Sequence, residues 1–294
     1  MNTQNFYWYA LCALRKIMCW LPHKTAVRLG DFLGRIVWLA SKRRVDKAET
    51  RCVRALGVGV TTARRIVLGS YRNIGRTIAE VLRLPLIAKK LDTYFKIQGG
   101  ERIEEALKSG KGVILLLGHL DNWETAIVYS LGRFPFNAIA ADQRDPRITE
   151  LLIQLRGEAG ARSIRKQAGL KAALACLRRG ECLGILHDQD AKEKGIVVPF
   201  LGLPASSPLG IAKLAARFGS VVLPVHILRL PDGFTHQAIV EPPLEDPSGR
   251  PFGEDEELAV RMCNDRISAW ILEHPEQWLL WLYPRWASTV PGDR

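Results

Sequence analysis

The sequence predicts an α/β fold: a largely parallel central sheet flanked by helices, with N-terminal helices that contact a membrane. Two observations predict the sheet. From residue 94 onward, short apolar runs alternate with stretches of helical period, the rhythm of βαβ units. The runs themselves, such as VILLL at 113–117 and SVVLPVHIL at 220–228, are apolar throughout rather than alternating. Strands covered by helices on both faces have this composition. A third observation predicts the N-terminal helices. Aromatic and aliphatic residues crowd positions 5–22, interrupted by Arg15 and Lys16.

Composition bounds the function. The chain has 294 residues, 47% of them hydrophobic, enough for one large core or two small ones. Lys and Arg number 42 against 30 Asp and Glu, a formal charge of +12. That excess favours an acidic partner: anionic lipid, an acidic protein or nucleic acid. No zinc-finger, RRM or KH pattern occurs, so nucleic acid is set aside. Cysteines at 12, 19, 52, 176, 182 and 263 form no CxxC pair. This argues against structural zinc and a disulfide framework and for a reducing compartment.

The elements follow in order. The apolar piece 6–14 is too short to span a bilayer. No early basic region or small-residue cleavage site marks it as a removed signal peptide. Trp8, Trp20 and the tyrosines at 7 and 9 are residue types of membrane interfaces. They make 1–22 an interfacial helix, with an ordinary amphipathic core helix as the alternative. Residues 24–40 form a second amphipathic helix. The basic run 41–56 is a helix with a solvated face, or one that lies with Arg28 and Arg35 on anionic headgroups. A further helix covers 61–82. Then come a strand at 94–99, a helix at 101–109, a strand at 113–117 and a helix from 122. A strand at 137–141 precedes a helix at 147–159. A helix at 169–178 precedes a strand at 182–187. A helix at 209–218 precedes the strand at 220–228, and 235–240 is a strand again. Residues 241–253 are a loop, 254–274 a long helix and 278–283 a last apolar segment.

One stretch carries chemistry. In KGVILLLGHLDNWE (111–124), Gly118 ends the strand and His119 sits in the turn. Asp121 is an N-cap candidate, and Glu124 occupies the capping-box position. From the turn, His119 can meet Glu124 in the first helical turn. A carboxylate on one imidazole nitrogen fixes the tautomer and leaves the other as general base. The plain alternative is a helix cap and a turn filler. Other candidates lie at strand ends, where α/β sheets bind ligands. Arg144, in DQRDP, and Arg156, in LIQLRGEAG, offer guanidinium groups to an anion. Asp188 and Asp190 follow His187; with His119 they are also conceivable metal ligands, but without a partner cluster from a second segment. Gly202 lies in VPFLGLPASSPLG (198–210), where Ser206 or Ser207 would cap the next helix. Arg285 and three tryptophans, 278, 281 and 286, lie near the C-terminus.

GHLDNWE resembles the His-x4-Asp/Glu block of the glycerolipid and lysophospholipid acyltransferases, and Asn122-Trp123-Glu124 is most similar to the lipid A (late, secondary) acyltransferase branch. Weaker blocks follow in the family's order, from about residue 72 to 285, ending in Pro-Glu-Gln-Trp at 275–278. Arg156 matches a family arginine about thirty residues after the glutamate. The chain departs from the family at Arg144-Asp145-Pro146 and at Tyr283-Pro284-Arg285. The resemblance implies an O-acyltransferase of residues 23–294 with His119 as base and Glu124 orienting it. Arg156, Arg144 and Arg285 then bind acceptor phosphate, supported by Asp188, Asp190 and the Gly202 block. It implies no metal and no cofactor, with the thioester of acyl carrier protein (or coenzyme A) as co-substrate. Its partners would be acyl carrier protein, a lipid A precursor or other membrane lipid, and the anionic cytoplasmic face of a Gram-negative inner membrane.

Overall fold

The computed structural model describes residues 3–125, 130, 133–140, 143–159, 162–165 and 169–293. Four helices lead the chain: α1 (Thr3–Trp20), α2 (His23–Ala40), α3 (Lys42–Leu56) and α4 (Val60–Leu82). α2 and α4 cross at close range because three glycines face each other. A Cβ on Gly30 would strike the backbone oxygen of Gly75, and one on Gly34 the backbone oxygen of Tyr71. Small residues let backbones approach in this way. α3 ends at Gly57 in the left-handed conformation, φ 64°, a common helix stop.

The main sheet has seven strands in the order β1-β9-β8-β2-β5-β3-β4. They are β1 (Phe95–Gln98), β2 (Val113–Leu117), β3 (Phe136–Ala140), β4 (Arg162–Arg165), β5 (Cys182–Leu186), β8 (Val221–Arg229) and β9 (His236–Val240). From β8 to β4 every pairing is parallel. β9 turns back antiparallel on β8 and carries β1 parallel to itself. β2 lies in the middle with all five residues buried. Its odd and even positions serve different cores. Ile114 and Leu116 pack with Leu183, Val222, Ile267 and the buried tryptophans 270, 278 and 281. Val113, Leu115 and Leu117 pack on the other face with Ile103, Phe136, Leu223 and Val240. Both faces are therefore covered, which is why the strand's sequence shows no alternation.

Several expectations are corrected. β4 and a separate two-stranded hairpin, β6 (Ile196–Phe200) with β7 (Leu203–Ser207), were not foreseen. The hairpin turns on Leu201 and Gly202, both at positive φ, the requirement of a two-residue primed turn. Ser206 and Ser207 lie in β7 and cap nothing, since the next helix starts only at Gly210. The charged α3 is not merely solvated. Its Arg51 is buried, pairs with Asp293 at 2.5 Å and donates to the Trp281 carbonyl. α1 buries Met18 against Ala79, Leu82, Leu151 and Leu155. It leaves Phe6, Tyr7, Tyr9 and Trp20 exposed. Among the described residues no helix is long and apolar enough to cross a membrane.

Candidate active site

The site grows from the turn after β2. Gly118 passes so close to its neighbours that a Cβ there would come 2.9 Å from Leu120 and 3.5 Å from Asp188. β5 runs parallel beside β2 with Leu117 opposite Leu186. His187 N–H donates to the Leu117 carbonyl at 3.0 Å, extending the ladder past the strand ends. Two residues beyond that register, His119 and Asp188 meet. Asp188 Oδ1 accepts from His119 Nδ1 at 2.6 Å, and Oδ2 accepts from the His119 backbone N–H at 2.7 Å. Trp278 Nε1–H donates to the same Oδ2 at 2.9 Å. Burial alone would raise the Asp188 pKa, but the His119 imidazole and these donors outweigh it and hold the group below the usual range. A carboxylate on Nδ1 fixes the ring and its tautomer, so Nε2 is the nitrogen left for proton transfer. The ring packs edge-on against Trp123, with centroids 4.7 Å apart.

The orienting carboxylate is thus Asp188, where Glu124 was expected. Glu124 goes to Arg156. Arg156 Nε donates to Glu124 Oε2 at 2.7 Å and Nη2 donates to Oε1, a two-pronged pair with little solvent contact. Burial works against the Arg156 charge, but Glu124 outweighs it and keeps the guanidinium protonated. The fork expected to clamp a phosphate is therefore already filled by a protein carboxylate. Nor does Asp188 support Arg156. The expected helix from 122 is described only to Thr125, and its continuation lies outside the described residues.

The remaining candidates are scattered. Arg144 is exposed, just before Asp145, which caps the helix Pro146–Glu158 by accepting from Arg147 N–H. Asp190 accepts from Lys192 N–H and from Ser288, and so ties the C-terminal segment down. Gly202 is an exposed hairpin-turn residue. Arg285 is buried, stacks 4.6 Å over Phe200 and donates to the Ser206 carbonyl and Ser207 Oγ. Burial lowers its pKa to about 10. A guanidinium in that position braces β7 rather than meeting a phosphate. Trp278, Trp281 and Trp286 are core residues. His187 is fully buried and its pKa is pushed down to about 4 by burial and by Arg285. Among the described residues no group of three or more His, Cys, Asp or Glu side chains is placed to hold a metal. Burial lifts the thiols of Cys52 and Cys176 to about 12, so neither is a thiolate nucleophile at neutral pH.

Sequence reasoning missed a second set of groups. Asp121 does not cap a helix. It is buried at φ 42° and pairs with Arg229 and His236. Glu80 joins the same group. Their only sequence signal is charge inside otherwise apolar strands: Arg229 ends SVVLPVHILR and His236 opens HQAIV.

A carboxylate-backed histidine at the end of the central strand of a parallel sheet is an arrangement able to support general-base chemistry in an α/β enzyme. The chain belongs to the bacterial lipid A biosynthesis acyltransferase family, whose model matches residues 2–288, and it is an acyltransferase. It is 28% identical to a phosphatidylinositol mannoside acyltransferase of Mycobacterium tuberculosis, over 78% of this chain and 72% of that one. It is 23% identical to a lipid A biosynthesis acyltransferase of Haemophilus influenzae, over 90% and 84%. A lipid A biosynthesis lauroyltransferase of Escherichia coli is 24% identical, over 92% and 88%.

Proposed function

We propose that this protein moves a fatty acyl chain from acyl-acyl carrier protein to a hydroxyl of a phosphorylated glycolipid, first of all a lipid A precursor, at the cytoplasmic face of an inner membrane. The observation that carries the chemistry is the 2.6 Å contact between His119 Nδ1 and Asp188. His119 Nε2 takes the proton of the acceptor hydroxyl as its oxygen attacks the thioester carbonyl. The tetrahedral intermediate collapses, the C–S bond breaks, and the proton passes from His119 to the departing thiolate. The carrier keeps its thiol and the lipid gains an ester. No acyl-enzyme and no cofactor enter this sequence; the thioester is a co-substrate. Glu124 is paired with Arg156 and is not the group that holds the His119 ring.

The surface suits the two partners differently. α1 and α2 expose Phe6, Tyr7, Trp20, Phe32 and Leu39, residue types that settle into an interfacial layer. α3 and the start of α4 expose Lys42, Arg43, Arg44, Lys47, Arg64 and Arg65, a face that matches an acidic carrier protein. A mannosylated phosphoinositide acceptor is the second reading. It is favoured by the 28% identity to the mycobacterial relative, against 23–24% for the lipid A relatives.

The test uses purified protein with acyl-acyl carrier protein or acyl-coenzyme A as donor. A lipid A precursor and a phosphatidylinositol mannoside are the two acceptors, with product read by mass spectrometry. Transfer to the lipid A precursor, lost in His119→Ala, supports the proposal. Transfer only to the mannoside selects the second reading. Full activity in a folded His119→Ala protein overturns both. Vesicle co-sedimentation that does not weaken in Trp20→Glu would remove the α1 part.

A further inference from the structure

The turn that carries His119 is also gripped by a buried cluster of charges that does not include Asp188. Asp121, two residues on, is fully buried and holds φ 42°, a conformation uncommon outside glycine but tolerated by aspartate better than by most residues. Its carboxylate lies 2.8 Å from Arg229 Nη2 and 3.1 Å from His236 Nε2. Arg229 also grips Glu80, at 2.6 and 2.9 Å, and His236 lies 3.3 Å from the same carboxylate. Glu80 in turn accepts from Asn122 Nδ2 at 3.0 Å. The backbone closes the ring. Asp121 N–H donates to the Gln277 carbonyl, Gln277 Oε1 accepts from Arg229 N–H, and Leu279 N–H donates to the His119 carbonyl.

We propose that Glu80, Asp121, Arg229 and His236 are positioning residues for His119: together they set the conformation of the 119–122 turn and so aim the base. None of the four is hydrogen-bonded to the His119 ring; they act through its backbone. Each comes from a different place, namely α4, the turn, β8 and β9, so the cluster refers the turn to three elements at once. The charges balance. Burial opposes the charge of His236, but Glu80 and Asp121 outweigh it and lift its pKa to about 9. Two cations then face two anions, and loss of any one leaves a buried charge uncompensated.

Buried charge alone does not make a positioning group, and the molecule supplies the control. Arg51 and Asp293 form another buried pair, at 2.5 Å, which ties α3 to the chain end. Asp121→Asn and Asp293→Asn each remove one anion from a buried pairing. The inference rests on His119 being the base, so two readouts are taken. One is steady-state acyl transfer; the other is the imidazole NMR signal of His119 in protein labelled with 15N-histidine, which needs no substrate.

Asp121→Asn should lower kcat about 100-fold with KM nearly unchanged, and should shift or erase the Nδ1–H resonance of His119. Asp293→Asn should lose comparable thermal stability while keeping both kcat and the resonance. Arg229→Lys keeps the charge balanced but loses the two-pronged grip. It should fold and lower kcat about 10-fold, between the other two. The inference is overturned if folded Asp121→Asn or Arg229→Lys keeps the wild-type resonance and kcat. It is equally overturned if Asp293→Asn disturbs them as much. If wild-type protein transfers no acyl group, the proposed function falls, and the resonance still decides whether the cluster aims the imidazole.

Discussion

Two buried carboxylates flank the same turn, and they do different things. Asp188 binds the imidazole of His119; Glu124 binds the guanidinium of Arg156. Glu124 is five positions from His119 in the chain and Asp188 is sixty-nine, yet the distant one holds the imidazole. Parallel strand register is what reverses the order. With Leu117 beside Leu186, equal steps past the two strand ends bring residues 119 and 188 side by side. The short spacing instead carries Glu124 away with the start of the next helix, to where Arg156 reaches back from the helix Pro146–Glu158.

The comparison breaks first at His119 and Asp188. His119→Ala should cut acyl transfer by about 10³–10⁴-fold, and Asp188→Asn by about 10²–10⁴-fold, since the amide can no longer hold the imidazole in the right tautomer. Circular dichroism would confirm that both proteins remain folded. If Asp188→Asn proves near wild type while Glu124→Gln is dead, the two carboxylates have been assigned the wrong way round.

Next comes the other pair. Glu124→Gln strands the largely buried Arg156 and should cost about 3 kcal/mol in chemical denaturation. The apolar double variant Glu124→Met/Arg156→Leu should recover most of that, because no charge is left buried. Kinetics of the double variant sharpen the contrast. Retained transfer makes the pair architecture; lost transfer at restored stability makes it part of the chemistry.

A third and smaller effect is set by pH. Burial lowers the pKa of His187, the residue before Asp188, to about 4, against about 6.5 in an unfolded chain. The unfolded state therefore binds more protons between those values, and stability falls as pH drops through that window. His226, also pushed to about 4 by burial, adds to the slope. At the alkaline end the sign reverses. His236 is held protonated up to about pH 9, so its contribution is full below about 6.5 and fades as pH rises towards 9. Thermal melts from pH 4.5 to 9.5 should show both flanks, with the acid flank shallower in His187→Phe. An acid flank unchanged in that variant would count against the assignment. The smallest effect belongs to Arg144→Ala. The side chain is exposed, and melting should move by no more than about 0.5 kcal/mol. A large loss of acceptor affinity in that variant would return Arg144 to the site.

Much of the architecture was legible, and the omissions share a cause. β2 at 113–117 and the helix at 169–178 occupy the expected residues. A run of five buried residues and a strong helical period both report burial directly along the chain. β4 and β7 were not visible, since RSIR and LPASS have no apolar pattern of their own; β6, IVVPF, is apolar but short and interrupted by a proline. The reversal of β9 relative to β8 was hidden because a parallel and an antiparallel strand carry the same residues. In the sequence Arg285 reads as a ligand of acceptor phosphate, and Arg51 as a surface cation, the ordinary place for arginine. Only the fold shows that one lies on Phe200 and the other on the chain terminus.

By itself the sequence determined the class of fold, the turn after the central strand, and the histidine that sits in it. These depend on neighbours in the chain: an apolar run, a glycine that must stay small, a histidine after it. Tertiary structure alone decided which acid serves that histidine, which arginine is locked away, and which charges steady the turn. Each of these depends on strand order and register, and pairing energies between strands come from residues that the chain keeps far apart.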